Sequence, residues 1–419
     1  MRFNTLQEWL AWQERLHPNA IDLGLERVRR VLRNLGLARP AFPLLTVGGT
    51  NGKGSCVAYL ESMLRAAGYR TGAYTSPHLL RYNERVRVDG EEATDGEFCE
   101  SFERVDRARG DISLTYFEFG TLAALDIFTR RGVKVAVLEV GMGGRLDAVN
   151  AVDPEGALVA SVSLDHQEWL GPDRESIGFE KAGIYRGGKP AVCGDRVPPA
   201  ALLKQAADIH ADLRLLGRDF DCTLEEDAWN WRGPEGALRS LPPPALPGRI
   251  QYDNAASAIA LLKSVAMGLP VPEAAIREGL RSVRLTARFQ RIPGEVETLL
   301  DVAHNPDAAR VLAANLQSDP ARGRTLGVMG MFKDKAVEEV AEALAPCLDR
   351  WYLAGLEGPR GQDAGQLAAR VLSRVPRAAL QEFPAVPAAY AAARREARLG
   401  DRIVVFGSFQ TVGSVLKSW

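Results

Sequence analysis

TVGGTNGKGSCVAY, residues Thr46 to Tyr59, is the stretch on which the reading of the whole chain turns. An apolar run enters a cluster of glycines, one lysine follows, and the next residues have the composition of a helix's first turn. The spelling departs from the generic phosphate-binding pattern G-x-x-x-x-G-K-[ST] in two places. Val47 stands where the first glycine belongs, and Gly54 follows Lys53, so the hydroxyl of Ser55 comes one position late. The context is still that of a phosphate cradle: glycines let backbone N–H groups approach phosphate oxygens, and a helix N-terminus adds partial positive charge. Lys53 can sit against the β- and γ-phosphates as a point charge, and a nearby hydroxyl can reach Mg²⁺. The competing reading is a glycine-rich βα turn that binds nothing.

Outward from this loop the same unit recurs: a short β-branched run, a glycine-bearing turn, an amphipathic helix. Leu44–Val47 leads into a helical Ser55–Ala67, Val133–Val140 follows a helical Phe117–Arg130, and Leu158–Leu164 precedes a loop at Asp165. Continuous apolar strands such as VKVAVLEV belong to parallel sheets covered on both faces. The alternation predicts a doubly wound α/β domain. Between Asp212 and Leu241 the pattern turns hairpin-like, which predicts a small β appendage. LPPPALPG (Leu241–Gly248) reads either as an interdomain linker or as an internal loop. The internal loop is preferred, because NAASAIALL and PEAAIREGLRSV beyond it read as a helical pair packing on the first domain. A second α/β unit starts at VETLLDVAHNPDAARVLAANL and continues through RTLGVMGMF, RWYLAGLEG and DRIVVFGSFQTVGSVL, with the boundary near residues 285–295.

A chain of 419 residues is long enough for two or three cores, and 46% hydrophobic with 25% charged residues is ordinary for a soluble globular protein. A net charge of −1 supplies no electrostatic footprint for nucleic acid or an anionic membrane, so any anion must be held locally. The five cysteines are scattered and never form C-x-x-C, which argues against both a disulfide framework and a thiolate metal site. MRFNTLQEWLAWQERLHP has charges inside its apolar pattern and no signal-peptide core, and no stretch approaches the roughly 18 apolar residues of a membrane span. The expectation is a reduced, cytoplasmic protein.

Four further segments carry candidate chemistry. In LEVGMGGRLDAVN, Glu139 ends a very apolar strand, where a carboxylate is costly to bury unless it binds a cation; the alternative is a salt bridge with Arg145. In SVSLDHQEWLGPDRESIGFEKAGI, Asp165 and His166 begin the loop after a strand. Imidazole is an unusual Mg²⁺ ligand, which leaves capping or packing open for His166, and Lys181 reads as one solvated lysine among many. In SPHLLRYNERVRVDG, Ser76 follows the strand TGAYT and could offer a hydroxyl to a metal, while Arg85 and Arg87 read as charged surface. In LLDVAHNPDAA, Asp301 and His304 flank a strand end and could equally be helix caps.

Together and in this order, these segments resemble the folylpolyglutamate synthase/dihydrofolate synthase family of Mur-type amide ligases. The family loop T-x-x-G-T-N-G-K-G-[ST] is matched by TVGGTNGKGS, and SPHLLRYNERVRV, LEVGMGGRLDAVN, LDHQEWLGPDRESIGFEKAGI, DVAHNPDAA and a late GSF match its other blocks. The resemblance implies a P-loop-containing parallel-sheet ATPase domain over residues 1–288, with the appendage at 212–241, and a smaller Rossmann-like C-terminal glutamate-ligase domain over 289–419. It implies ATP held by Thr50, Asn51, Gly52, Lys53, Gly54 and Ser55, with Asn254, Arg288, Asp301 and His304 outside the loop. It places Ser76, Glu139 and His166 on Mg²⁺-associated positions and Lys181 on a carbamylated lysine serving a second Mg²⁺. Arg288, in TARFQ, aligns with P-G-R-[FY]-Q, with Thr286 and Ala287 replacing the usual proline and glycine.

HPNAIDLGLERV (His17–Val28) and SLTYFEFGTLAALDIF (Ser113–Phe128) resemble blocks that form a dihydropteroate site in the bifunctional members. That match implies acceptor contacts from Ile21 and Asp22, from Thr115, Tyr116, Phe117 and Glu118, and from Leu146, Asp147 and Ala148. Tyr116 and Phe117 offer flat apolar surfaces, with ordinary helix packing as the alternative, and Asp22 or Glu118 can accept pterin N–H bonds. The activity implied is ATP-driven addition of L-glutamate to dihydropteroate and tetrahydrofolate through an acyl phosphate, with Lys53, Lys181 and His166 at the chemistry. Ser408 and His304 are candidates for holding glutamate, and the protein is expected to act as a monomer in folate biosynthesis and one-carbon metabolism. Two other readings stay open: a ligase restricted to folates or using a cell-wall precursor, and a P-loop switch that hydrolyses ATP to drive a macromolecular partner.

Overall fold

The computed structural model describes residues 2–418, which divide into two compact units: 2–245 with 251–284, and 246–250 with 285–418. The first holds an eight-stranded sheet of β1 (Leu44–Gly48), β2 (Thr71–Tyr74), β3 (Val86–Val88), β4 (Glu91–Glu92), β5 (Val135–Glu139), β6 (Gly156–Val159), β7 (Pro190–Cys193) and β8 (Asp212–Leu215). Its order is β4-β3-β2-β5-β1-β6-β7-β8. The pairs from β2 to β8 are parallel, and β3 and β4 add an antiparallel edge. Every residue of β1, β5 and β6 is buried, which is why these strands read as unbroken apolar runs. From β1 the chain first builds β2 and β5 on one side, then crosses to β6 on the other. That reversal puts a crevice outside the carboxyl end of β1, the usual ligand position in such sheets.

Two expectations are corrected in this unit. Strand pairing ends at Val159 rather than continuing to Leu164, because the following residues turn their hydrogen bonds to the loop after β1. The β appendage is smaller than 212–241: β8 pairs with β7 at the edge of the main sheet. Only β9 (Asp221–Leu224), β10 (Trp229–Gly233) and β11 (Gly236–Leu241) form a separate antiparallel sheet. Trp229 and Trp231 bury its inner face, and the Trp231 indole N–H donates to Ala256 O at 3.1 Å, fastening it to the helix Ile250–Ser264. The helix Glu273–Ser282 packs on the helix Lys53–Ala66, with Ser62 Oγ donating to Gly279 O at 3.0 Å. The proline-rich stretch is neither plain linker nor wholly internal loop, since residues 246–250 count with the second unit.

The second unit is a six-stranded sheet of β12 (Gln290–Ile292), β13 (Glu297–Leu300), β14 (Thr325–Met329), β15 (Arg350–Ala354), β16 (Leu380–Phe383) and β17 (Arg402–Phe406), in the order β12-β13-β17-β14-β15-β16. All but β12 run parallel. Each unit is an α/β layer structure, as the strand–helix alternation predicts. No helix among the described residues is long and apolar enough to cross a membrane.

Candidate active site

The loop after β1 is stitched to the segment after β6. Thr50 N donates to Ser161 O at 2.7 Å, Thr50 Oγ1 donates to Ser163 O at 3.1 Å, and Ser163 N donates back to Thr50 Oγ1 at 3.0 Å. Ser161 Oγ accepts from Asn51 N and donates to Asn51 O, each at 3.0 Å. Two glycines are required by this geometry. A Cβ on Gly49, at φ +136°, would lie 3.0 Å from Ala160 N, and one on Gly52, at φ +85°, would lie 2.7 Å from Asn254 Oδ1. Asn254 is therefore brought against the loop from the helix Ile250–Ser264, although it is some 200 residues away in sequence. Lys53 Nζ donates to Gly49 O and Thr50 O, both at 3.0 Å, so the ammonium is folded over the loop it would serve. Gly52 precedes the helix without a side-chain cap, which leaves first-turn N–H groups to other acceptors. Ser55 is almost wholly buried.

Sequence reasoning missed the support beneath this loop. Asp195, after β7, accepts from Val162 N at 2.8 Å, and Arg174 donates to Val162 O at 2.9 Å and to Asp195 at 3.1 Å. These bonds fix the SVS segment that in turn fixes the loop. No motif flags them, because they are ordinary residue types joined only by the fold.

Parallel register sets Glu139 beside Val47, and Tyr74 beside Leu138 on the far side of β5. Ser76, just past β2, donates its backbone N–H to Glu139 Oε2 at 3.2 Å. Arg145, the partner the alternative reading needs, pairs with Glu180 at 2.8 Å, and Glu139 is only 5% exposed at its strand end. His166 occupies the position before the short helix Gln167–Leu170 with a left-handed backbone, φ +52°, yet its side chain makes no capping bond. Its backbone N–H is held by Asp165 Oδ1 at 2.9 Å. Lys181 is corrected most sharply. It is 3% exposed, not solvated, and burial pulls its pKa down to about 7, helped by the Lys53 charge and opposed by Asp165 and Asp147. Asp147 is pushed the other way, up to about 6, by burial, although Met142 N and Val149 N donate to it at 2.9 and 3.0 Å and Lys53 lies within electrostatic reach.

Arg85 and Arg87 are not plain surface. Arg87 forms a 2.7 Å ion pair with buried Glu61 and reaches Thr75 Oγ1 at 3.3 Å. Arg85 donates to His78 Nδ1 at 2.9 Å and lies over the rings of Tyr82 and Tyr116 at 5.2 and 5.6 Å. Arg87 lies in β3, paired with Ala73 of β2, and Arg85 ends the 3-10 turn Tyr82–Arg85 just before it; no local pattern announces either contact.

The residues that the resemblance assigns to the acceptor are also brought together. Thr115 and Glu118 form the capping box of the helix Tyr116–Arg130: Glu118 N donates to Thr115 Oγ1 at 3.2 Å, and Thr115 N donates to Glu118 Oε2 at 2.8 Å. Tyr116 packs edge-on against Tyr82 at 5.6 Å, and Phe117 lies 5.9 Å from Tyr74 and covers Gly141. Both rings stay half-buried, so packing leaves part of each uncovered. Ile21 is exposed, and Leu146 O accepts from Gly24 N at 3.2 Å.

In the second unit Asp301 is no helix cap; Asn305 caps the helix Pro306–Ser318 instead. Asp301 accepts from Phe289 N at 2.9 Å and Ala303 N at 2.8 Å, and burial raises its pKa against the pull of Arg288. It thereby clamps the turn that carries Arg288, whose guanidinium lies 5.3 Å from the Phe409 ring centroid. Phe409 is the last residue of the GSF block. His304 Nδ1 lies 2.9 Å from Val302 O, and its ring is 6.5 Å from Phe409. Ser408 caps the helix Phe409–Leu416, accepting from Thr411 N at 3.0 Å, and is buried, so its hydroxyl already serves the fold.

Residues 287–409 match the family model of the Mur ligase, glutamate ligase domain. Over 412 residues the chain is 45% identical to the dihydrofolate synthase/folylpolyglutamate synthase of Escherichia coli (strain K12), covering 98% of this chain and 95% of that protein. Its backbone matches Escherichia coli FolC in complex with DHPP and ADP at a TM-score of 0.94, with 45% identity over 99% of this chain and 97% of the other. A bifunctional folylpolyglutamate synthase/dihydrofolate synthase with Mn, AMPPNP and L-glutamate bound matches at a TM-score of 0.91, with 44% identity over 99% and 98% of the two chains. The likeness runs the length of the sequence, and the chain belongs to the dihydrofolate synthase/folylpolyglutamate synthase family.

Proposed function

We propose that this chain couples ATP cleavage to amide formation, adding L-glutamate to dihydropteroate and to reduced folates. The acceptor carboxylate oxygen attacks the γ-phosphorus of ATP, ADP leaves, and an acyl phosphate remains. The amino group of glutamate then attacks the acyl carbon, loses a proton, and expels phosphate as the amide forms. Phosphoryl transfer of this kind asks the protein for positioning and charge neutralisation more than for covalent help. Lys53 and the N–H groups of Thr50 to Ser55 supply both to the phosphates, with Asn254, Arg288, Asp301 and His304 contributing to nucleotide binding. Ser408, its side chain engaged in a helix cap, is the weaker candidate for glutamate.

The observation that carries the reading is the convergence at the carboxyl ends of β1, β5 and β6. There the phosphate loop, the buried carboxylate of Glu139 and the electrostatically coupled Lys53, Lys181, Asp165 and Asp147 belong to one sheet edge. In our reading Ser76, Glu139 and His166 would hold Mg²⁺, which when bound would neutralise charge on the transferring phosphoryl group. A second ion calls for a further oxygen donor, since hard cations take oxygen ligands. Lys181 supplies it in our reading. With a pKa near 7 its amine is substantially neutral at physiological pH, free to attack CO₂ and form a carbamate carboxylate. Five free cysteines, four of them buried, fit a reducing cytoplasm, and we take the working form to be a monomer acting on small molecules.

The test is ADP release by purified protein with ATP, Mg²⁺ and L-glutamate, run separately with dihydropteroate and with tetrahydrofolate. Glutamate-dependent turnover is expected with both. Turnover with tetrahydrofolate alone would narrow the activity to folylpolyglutamate synthesis, and ADP release that ignores glutamate would replace the ligase reading with a nucleotide switch.

A further inference from the structure

The three stretches assigned to the acceptor, at 21–22, 115–118 and 146–148, are far apart in sequence, and a single side chain outside all of them joins the first two. Arg27 Nη1 donates to Asp22 Oδ2 at 2.8 Å, and its Nη2 donates to Asp22 O at 2.7 Å. Its Nε donates to Glu118 Oε1 at 3.1 Å, with Nη2 3.0 Å from the same oxygen. Three residues earlier, Gly24 N ties the same loop to Leu146 O. His17 Nε2 lies 3.3 Å from Asp22 Oδ2 and completes the ring of contacts.

Arg27 stands in the first turn of the helix Glu26–Leu35, the end where the helix dipole disfavours a cation, so its place is not explained by helix stability. Residues 19–24 have no regular secondary structure, so their position depends on these few bonds. Asp22 and Glu118 are two carboxylates on separate elements that would repel one another without the cation between them.

We infer that Arg27 is a positioning residue for the pterin-bearing acceptor: it holds Asp22 and Glu118 as oriented, negatively charged acceptors for the N–H edge of the ring and holds loop 19–24 over the site. The inference rests on the proposed dihydropteroate activity. A guanidinium does this because its planar fork reaches both carboxylates and a backbone carbonyl at once, which an ammonium cannot.

Steady-state kinetics of Arg27→Met and Arg27→Lys test it in the full-length protein. Both variants are expected to raise KM for dihydropteroate by at least about tenfold, while KM for ATP and for L-glutamate and kcat at saturating acceptor stay near wild type. Adding Asp22→Asn to Arg27→Met is expected to cost little more, since the two act as one unit. Millimolar methylguanidinium should restore acceptor affinity to an Arg27→Ala variant but not to wild type. An unchanged dihydropteroate KM in Arg27→Met overturns the inference, as does an equal loss for all three substrates, which marks a merely structural residue. If Arg27→Met does not fold, Arg27→Lys decides: wild-type acceptor KM in that variant overturns the fork argument. Wild-type protein that lacks dihydropteroate-dependent turnover overturns the proposed function itself, and the inference with it, before any variant is made.

Discussion

Lys181 shows how far a residue's role depends on its surroundings. In EKAGI it is one lysine among many; buried beside Lys53 it titrates near neutrality. Between about 7 and the ordinary 10.5 the unfolded chain keeps a proton on this lysine that the folded chain has given up, so stability rises with pH across that window. Below about 7 the folded protein bears a buried ammonium. In CO₂-free buffer, Lys181→Met is expected to be more stable than the parent at pH 6, by an unfolding free energy on the order of a few kcal/mol, and the gap should close toward pH 10 in a denaturant-unfolding series. Ala287 is a second case. It takes φ +60° where the family pattern has glycine, and Phe289, two residues on, also has positive φ at +47°. Left-handed backbone is costly for a residue with a Cβ. Ala287→Gly is expected to stabilise the protein by a few tenths to about 1 kcal/mol in denaturant titration, the relief of strain exceeding the lost methyl burial and the added freedom of the unfolded chain.

At the scale of elements, Thr115 and Glu118 form the capping box of the helix Tyr116–Arg130 while also lying in the stretch assigned to the acceptor. Thr115→Ala is expected to lower stability by about 1 kcal/mol through the lost cap, read as a shift in the denaturant midpoint with an unchanged slope. The same region explains an element that sequence reading overextended. LVASVSL is apolar enough to continue as a strand, but beyond Val159 its serines bond to Thr50 and Asn51, and the sheet gives way to the phosphate loop. Periodicity measures burial, and a buried loop anchor is as apolar as a strand. Asp195, Arg174 and Arg27 were illegible for the converse reason: each is a common charged residue whose partners lie elsewhere in the chain.

For the whole molecule, the parallel sheet and its reversal at β1 gather loops from four strands onto one edge. A nucleotide bound there stabilises the folded state alone. At a MgADP concentration 100 times its Kd the unfolding free energy is expected to rise by about 2.7 kcal/mol, measured in denaturant, and Lys53→Ala should lose most of that gain. By itself the sequence determined the α/β class, the phosphate loop, the strand-end placing of Glu139 and the family resemblance, because these follow from local periodicity and from motifs read along the chain. Only the tertiary structure decided that Lys181 is buried and half-neutral, that Arg87 pairs inward with Glu61, that Asn254 closes on Gly52, and that Arg27 bridges Asp22 and Glu118. The reason is common to all four. Burial and ion pairing are set by neighbours from other elements, and a side chain's charge and orientation follow from that company rather than from its own identity.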